Sequence, residues 1–441
     1  MIPKKLTAAS ICAISLAGLP AIAGEAIEAP KADKPSNNGN WCSWLQDDPG
    51  KLYDNDDNPF IQEFTITGRF HWQYAYVDGQ GSHEGGIRRL SYDTEEIRRF
   101  RLGVEMKFLN FFKLETDVDL ANDLAPTGLE SDHDIEYADI YSATLTFDAQ
   151  EAFEIKSLDK LDFSIGKHKV TTSAEKDISS REIKTVERSS LSDYITPPSS
   201  TGFAIDLEKG PWEITAGIYS GDDEDEFADV KGDNDYFYTF RLGYKAEDPK
   251  FFDKAQANLR VIINGDESEN ATDNPLSEGA FNPDWAVSFG TQTRKGRFDL
   301  LTDVIYGENG KEFSMESNGL ERRPEREGSF WGVVILPSYW LVEDRLEAVF
   351  RYQYAESSQP EGFRISSRYS RRAGESLGFT GPNDLSNGRG DNHHSAYLGL
   401  NYYLCGDNAK VMFGVEYDDL DSGSQDVYEG YTGWAAFRMY F

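Results

Sequence analysis

The chain is poor in cysteine. Cys12, Cys42 and Cys405 are its only three in 441 residues, which excludes a disulfide-rich scaffold and a multi-cysteine metal centre. No Cys-x-x-Cys pair, Gly-rich phosphate loop or Ser/His/Asp spacing occurs, so the residues point to no enzyme, cofactor or metal site. Positive charge is also short: 44 Lys and Arg against 77 Asp and Glu leave a formal charge of −33. That excludes a nucleic-acid binder working through a bulk positive field. Beyond the N-terminal stretch nothing approaches the ~18 consecutive apolar residues of a spanning helix. Repeats of fixed period, the mark of solenoids and propellers, are missing too.

The N-terminus is the one apolar run. Lys4 and Lys5 precede an apolar stretch from Leu6 to Leu19, then Pro20 and the small-x-small triplet Ala21-Ile22-Ala23. Residues 1–23 therefore read as a signal peptide cleaved before Gly24. Residues 24–60, rich in Asn, Asp, Lys and Pro, read as an N-terminal periplasmic extension, a linker or a short plug too polar for its own core.

What is abundant is glycine and aromatic residues: 39 Gly, 27 Phe, 23 Tyr and 8 Trp. This suits an exported β-barrel or a secreted β-sandwich enzyme, and patterning separates the two. Phe64, Ile66, Gly68, Phe70, Trp72, Tyr74 and Tyr76 alternate with Thr65, Thr67, Arg69, His71 and Gln73. One face is thus aromatic and the other polar. Phe100 to Phe108 repeats this against Arg99, Arg101, Glu105 and Lys107, and Phe112 to Leu120 against Lys113, Glu115, Asp117 and Asp119. Such runs reach the ~10 residues that a tilted strand needs to cross a bilayer, longer than the ~5–6 of a sandwich.

Further strands are expected near 137–147, 160–169, 201–208, 211–219, 236–246, 254–264, 284–294, 297–307, 329–341, 344–355, 394–405, 408–418 and 429–441. The fold class is therefore all-β, a transmembrane antiparallel barrel of about sixteen strands over 61–441. Short periplasmic turns, as at 109–111 and Lys209-Gly210, alternate with long external loops at 78–95, 121–136, 171–200, 220–235, 265–283, 308–328 and 356–393. Pro337 cannot donate to a ladder, so its strand is expected to carry a bulge. The chain ends on Phe441, with Gly433, Ala435, Phe437 and Met439 on the same face. This pattern resembles the terminal signal read by the barrel-assembly machinery.

Several segments resemble the phosphate-selective porin O/P family. They are Arg98-Arg99-Phe100-Arg101-Leu102-Gly103-Val104-Glu105, Ser164-Ile165-Gly166-Lys167-His168-Lys169, Val186-Glu187-Arg188-Ser189, Ser338-Tyr339-Trp340-Leu341, Leu398-Gly399-Leu400-Asn401-Tyr402-Tyr403 and Arg438 to Phe441. The resemblance implies a sixteen-stranded homotrimeric outer-membrane porin whose third external loop, here 171–200, folds inward and narrows the pore. It also implies that basic residues on that loop and on the wall guide anions such as phosphate. The loop's candidates are Lys176, Arg181, Lys184 and Arg188, set against Glu175, Asp177, Glu182, Glu187 and Asp193. Strand parity adds Arg69, Arg99, Arg101, Arg241, Arg260 and Arg351 on the inward face, with Arg294 and Arg345. Arg99 and Arg101, two apart, share a face, and arginine's planar fork suits phosphate. Inward carboxylates are nearly as numerous, so the arginines either guide anions or pair across the wall.

Other features have bland readings. The acidic run 222–226 is a solvated loop tip, or a divalent-cation bridge to lipopolysaccharide. Arg364, Arg368, Arg371 and Arg372 make 356–393 basic. His393 and His394, being adjacent on a strand, point to opposite faces and cannot share a metal. Cys42 and Cys405 lie on the periplasmic side and are expected to form a disulfide. The function expected is a passive channel for small hydrophilic solutes in the outer membrane, with lipids and lipopolysaccharide as its surroundings. The alternatives are a non-selective diffusion porin and a barrel serving as an anchor or adhesion protein.

Overall fold

The computed structural model describes residues 40–47, 49–83, 86–121, 135–220, 227, 236–265, 283–310, 315–317, 320–322, 325–364, 369, 389–423 and 425–441. The signal peptide expected at 1–23, the acidic run 222–226 and Arg368, Arg371 and Arg372 lie outside them.

Sixteen long strands make the wall: β1 (Ile61–His83), β2 (Gly86–Phe108), β3 (Phe112–Ala121), β4 (Ile135–Asp148), β5 (Lys160–His168), β6 (Ser200–Lys209), β7 (Trp212–Ser220), β8 (Tyr236–Lys245), β9 (Lys254–Asn264), β10 (Pro283–Lys295), β11 (Phe298–Asn309), β12 (Gly328–Val342), β13 (Leu346–Ser357), β14 (Asn392–Tyr403), β15 (Ala409–Ser422) and β16 (Gln425–Tyr440). Each pairs antiparallel with the next, and β16 returns to β1 from Arg69↔Tyr440 to Gln80↔Glu429. The sheet is closed. Closure gives each wall strand a ladder partner on both sides, which is what a lipid surround demands. No helix among the described residues is long and apolar enough to cross a membrane; the strands cross instead.

The outer face is apolar yet uncovered. Phe289, Val304, Leu398 and Phe413 are each half exposed there, which lipid tolerates and water does not. Aromatic residues gather at its two edges. Trp285, Tyr306, Trp331, Tyr354, Tyr417 and Tyr431 lie toward the long loops, and Trp212, Tyr244, Phe298, Tyr339 and Tyr402 toward the short turns. The upper edge is polar as well: Trp285 Nε1 donates to Glu308 (3.1 Å), Trp331 Nε1 to Glu356 (3.1 Å) and Tyr417 Oη to Glu429 (3.0 Å).

Three expectations need correction. The stretch 78–95 is not a long loop, because β1 and β2 each run 23 residues and stay paired as far as His83↔Gly86. Its Gly, Ser and Asp content hides a hairpin that rises above the apolar band. β15 and β16 likewise stay paired to Ser422↔Gln425. Pro337 carries no bulge: Ile335↔Tyr352 and Ser338↔Val349 keep one register, and the shift falls between Trp340 and Val342. The missing N–H only leaves a gap in the ladder toward β13, while Pro337 still faces Leu300 on β11. Arg345 sits in the turn between β12 and β13 and not in a strand.

The described residues of the extension, 40–47 and 49–60, lie along the lower edge of the wall. Helix α1 (Asn40–Gln46) leads to a short strand, Lys51–Asp54, that pairs with Glu63–Thr65 of β1. It occupies the edge of β1 just below the point where β16 stops. Cys42 and Cys405 form a disulfide. Phe441 lies over Gly68, where any Cβ would strike its ring, and the Gly68 amide donates to the Phe441 carbonyl at 2.9 Å. Thiol labelling under denaturing, non-reducing conditions should leave Cys42 and Cys405 unmodified, and prior reduction should expose both. In Cys405→Ser the barrel should persist, seen as heat-modifiable gel migration, while residues 40–54 become open to protease.

Candidate functional site

Odd positions of β1 and the inward positions of its neighbours face the lumen: Arg69, His71 and Gln73 on β1, Arg438 on β16, Arg351 and Gln353 on β13. A bulge on β2 changes the local rule. His71 pairs with Arg99 but Trp72 with Ile97, so Arg98 is extra and the inward parity reverses there. Above it Tyr92, Thr94 and Glu96 are buried, and below it Arg99 and Arg101. Arg98 also turns in, meeting Glu187 at 2.9 Å. Three arginines thereby enter the lumen from four consecutive positions.

They meet the connection between β5 and β6, the third at the end of the barrel opposite the short turns, whose backbone is bonded by inward-facing wall side chains. It carries two short helical turns, α2 (Ala174–Asp177) and α3 (Ser190–Tyr194), N-capped by Ser173 and Ser189. The wall seizes it along β9–β16. Arg438 donates to the carbonyls of Ser180 (3.3 Å) and Val186, Lys410 to Ile183 (3.0 Å), Asn401 to Lys184 (2.8 Å) and Arg351 to Glu187 (2.8 Å). Lys184 reaches Glu347 and Ser338, both at 2.7 Å, and Asp299 at 3.3 Å. Glu175 accepts from the Ser189 amide (3.0 Å) and Ser192 (3.1 Å) and faces Arg351 (3.4 Å), which also pairs with Glu416. Asp303 accepts from the Ala174 amide at 2.6 Å, and Arg260 pairs with Asp177. Tyr194 packs edge-on against Phe330 and Phe363.

The candidate residues sort into two groups. Arg101, Arg241, Arg260, Arg351, Lys176 and Lys184 all have carboxylate partners: Asp119 (2.7 Å), Glu213 (2.9 Å), Asp177, Glu175 with Glu416, Asp193 (2.6 Å) and Glu347 respectively. Arg101 also stacks on Tyr141, 3.3 Å from the ring centroid. Arg181 bonds Asn408 (2.9 Å) and stacks on Tyr440. Arg69, Arg99, Arg181 and Arg188 have no carboxylate within ion-pair distance among the described residues. Arg69 holds Ser180 Oγ at 2.7 Å, Arg99 lies beside His71 at 3.4 Å, and Arg188 donates to the carbonyls of Glu175 (3.1 Å) and Ile178 (2.6 Å). Arg99 and Arg101 share a face, but both are buried.

Lys169, another cation without a carboxylate partner among the described residues, belongs to the segment 164–169 that carries the resemblance but is not among the pore-lining candidates read from the sequence. It lies one residue past β5 and opens into the lumen, bonded only to the Lys176 carbonyl at 3.2 Å. Crowding by wall and loop desolvates it, and with Arg188, Lys176 and Arg69 nearby its amine falls to about 8, against the pull of Tyr141. Arg98, Lys410 and Arg438 were missed as well. Arg98 and Lys410 sit at a bulge and a strand end, where alternation loses its grip, and Arg438 reads only as part of a terminal motif.

The loop does not fill the lumen evenly. Inward residues of β12–β16, such as Val334, Gln353, Met412 and Ala436, are buried beneath it. Those of β3–β7, including Glu115, Asp117, Ser142, Thr144, Asp162, Asp206 and Thr215, keep partial exposure. The inward residues that the loop leaves exposed thus lie along β3–β7, and Arg69, Lys169 and Arg188 stand close to Tyr141 on β4 at the margin of that face. His393 points inward to Gln353 (2.9 Å) and His394 outward to Tyr352 (2.8 Å), so they share no site.

Over residues 64–274, from β1 to β9, the chain matches the family model of the phosphate-selective porins O and P. The motifs at 98–105, 164–169 and 186–189 fall within that stretch, and those after residue 337 lie beyond it. No curated protein matches the sequence. Among solved structures, the barrel is similar to the outer membrane channel DcaP of Acinetobacter baumannii, with TM-score 0.52 and 13% identity over 88% of this chain and 100% of that one. A loop L8 deletion mutant of the outer membrane protein OmpT of Vibrio cholerae gives 0.50 and 13% over 86% and 99%. OmpF of Salmonella typhi gives 0.50 and 11% over 89% and 100%. At such identities the likeness is one of fold. The family match and the shared fold support an outer-membrane channel for passive diffusion.

Arg351 holds the loop most firmly. Removing one partner of a buried, bonded ion pair costs about 3–5 kcal/mol because the other charge stays behind uncompensated. In Arg351→Met, Glu175 and Glu416 lose their shared cation, and the loop should leave the wall. Single-channel conductance should rise, and protease added from outside should cut within 171–200.

Proposed function

We propose that this barrel passes small hydrophilic solutes passively across the outer membrane with a preference for anions, phosphate among them. The observation that carries this reading is that Arg69, Lys169 and Arg188 stand at the margin of the exposed inward face with no carboxylate partner among the described residues. Selectivity in such channels rests on charge at the narrowest point. The formal charge of −33 does not oppose this, because distant loop charges are screened within about 8–10 Å at physiological salt. Arginine's fork suits phosphate oxygens. Lys169 adds a mobile point charge where ions pass. Arg99 and Arg101, buried behind them beside His71 and Asp119, add to the field.

A second reading, a general diffusion porin, draws on the pairing of Arg101, Arg241, Arg260 and Arg351 with carboxylates. The proposal also includes a homotrimer, export by residues 1–23 and delivery to the assembly machinery by the strand ending in Phe441. The apolar outer face and the terminal aromatic residue support these.

Reversal potential across a bilayer with a KCl gradient, then a phosphate gradient, tests selectivity. One charge at about 4 Å across water is worth about 1 kcal/mol, so Lys169→Gln should lower the anion-to-cation permeability ratio about fivefold. A cation-selective wild type would end the anion reading, and a ratio near one would favour the general porin. The pH dependence has a definite sign. An ordinary lysine stays charged to about 10.5, but Lys169, lowered to about 8, loses its proton as pH rises from 7 to 9. Anion preference should therefore fall across that interval in the wild type and stay flat in Lys169→Gln.

A further inference from the structure

We infer that α1 is an interfacial membrane anchor, with Trp41 and Trp44 inserted into the phospholipid leaflet on the periplasmic side. The first ground is where the helix docks. Cys42 and Leu45, each 3% exposed, pack against Leu404, Ala409, Met439 and Phe441. Met439 pairs with Ala409 on one side and with Phe70 on the other, positions on the outward face of β15 and β1. Phe441 likewise lies over outward-facing Gly68. The helix therefore sits on the outer flank of the barrel and not in its mouth.

The second ground is its own pattern. At about 100° per residue, Trp44, Trp41, Leu45 and Cys42 follow one another around a single apolar arc of about 160°. The half of that arc nearest the wall is buried. The other half, Trp41 at 54% and Trp44 at 62% exposure, continues away from the wall along the same surface. Ser43 and Asp47 occupy the remaining side. A helix in this attitude turns its polar side to the periplasm and its tryptophans to the lipid.

The third ground is continuity. Tyr53 pairs with Phe64 on the outer face of β1, and Tyr402 and Tyr339 extend the lower aromatic edge around the wall. Tryptophan favours that depth because its ring enters the acyl boundary while the indole N–H reaches headgroup oxygens. Two exposed tryptophans facing water would instead be an uncompensated apolar patch. The disulfide to Cys405 holds the helix at this height. The phospholipid leaflet is the occupant that an amphipathic helix at a lipid-facing edge fits.

The inference rests on the barrel spanning a membrane and is independent of its selectivity. To test it, the full protein and Trp41→Phe/Trp44→Phe are reconstituted in phosphatidylcholine vesicles with and without acyl-chain bromination near the headgroup. The emission difference between the two proteins reports the two tryptophans alone. It should be lost in brominated vesicles and should survive acrylamide in unbrominated ones. Quenching by acrylamide but not by brominated lipid would place the helix in water and overturn the anchor. Quenching by neither would mean that a second copy of the chain covers the helix, which overturns it equally. Unchanged conductance and heat-modifiable migration of both proteins show that the barrel itself is intact, so failure of the anchor is distinguishable from failure of the channel reading.

Discussion

A peptide segment that enters a barrel lumen brings carbonyl groups with no strand beside them, and each needs a donor or costs free energy. This requirement organises the interior. The carbonyls of Ser180, Ile183, Lys184, Val186 and Glu187 are met by Arg438, Lys410, Asn401 and Arg351. Charged donors suit the task because their bonds are roughly twice as strong as neutral ones. Buried cations then call for buried anions, and Glu175, Glu347, Glu416 and Asp299 supply them. The near balance of basic and acidic residues on the inward face is thus a property of loop attachment. It says little about what passes through.

That attachment is one-sided, and the exposed inward face follows from it. Because β9–β16 hold most of the loop, the inward face of β3–β7 stays exposed, and under the proposed function the cations beside that face are those that meet a solute. Arg69 and Arg188 do so while also bonding loop atoms, so their exchange disturbs position as well as charge. Lys169 bonds a single carbonyl and is the cleaner probe. Charge that guides ions and charge that holds the loop are both basic and lie within one short stretch of chain. What distinguishes them is the partner, which composition does not reveal.

Much of the wall was legible in the sequence, because strands with lipid outside and water inside must alternate over their whole length. Sixteen strands could be placed, and Arg69, Arg99, Arg101, Arg241, Arg260 and Arg351 assigned inward, from period two alone. The same rule fails where alternation carries no hydropathy or is interrupted. The stretch 78–95 reads as loop although its described residues are paired as far as His83↔Gly86. The bulge at Arg98 shifts parity within a strand, so Tyr92, Thr94 and Glu96 face inward at even positions and Arg99 and Arg101 at odd ones. Depth was not legible either. Parity puts Arg99 and Arg101 in the lumen but cannot say that the loop buries them, since that depends on contacts more than 80 residues away, such as Arg98 with Glu187.

The seam where the two ends of the chain meet shows why a barrel with an inward loop also needs its extension. β16 leaves β1 at Arg69, so the lower edge of β1 would face lipid with unpaired backbone. Lys51–Asp54 covers Glu63–Thr65, and the Ile66 amide donates to Gly50 at 2.8 Å, so the edge is closed. A four-residue strand is too short to hold by itself, which gives the disulfide and the packing of Leu45 a role beyond mere attachment. Asn408 joins the two systems: it donates to Leu45 at 3.1 Å and to Tyr440 at 3.3 Å, and accepts from Arg181 at 2.9 Å. Loop, last strand and extension therefore share one side chain, and a seam loosened at Asn408 would be felt at the constriction as well as at the membrane edge.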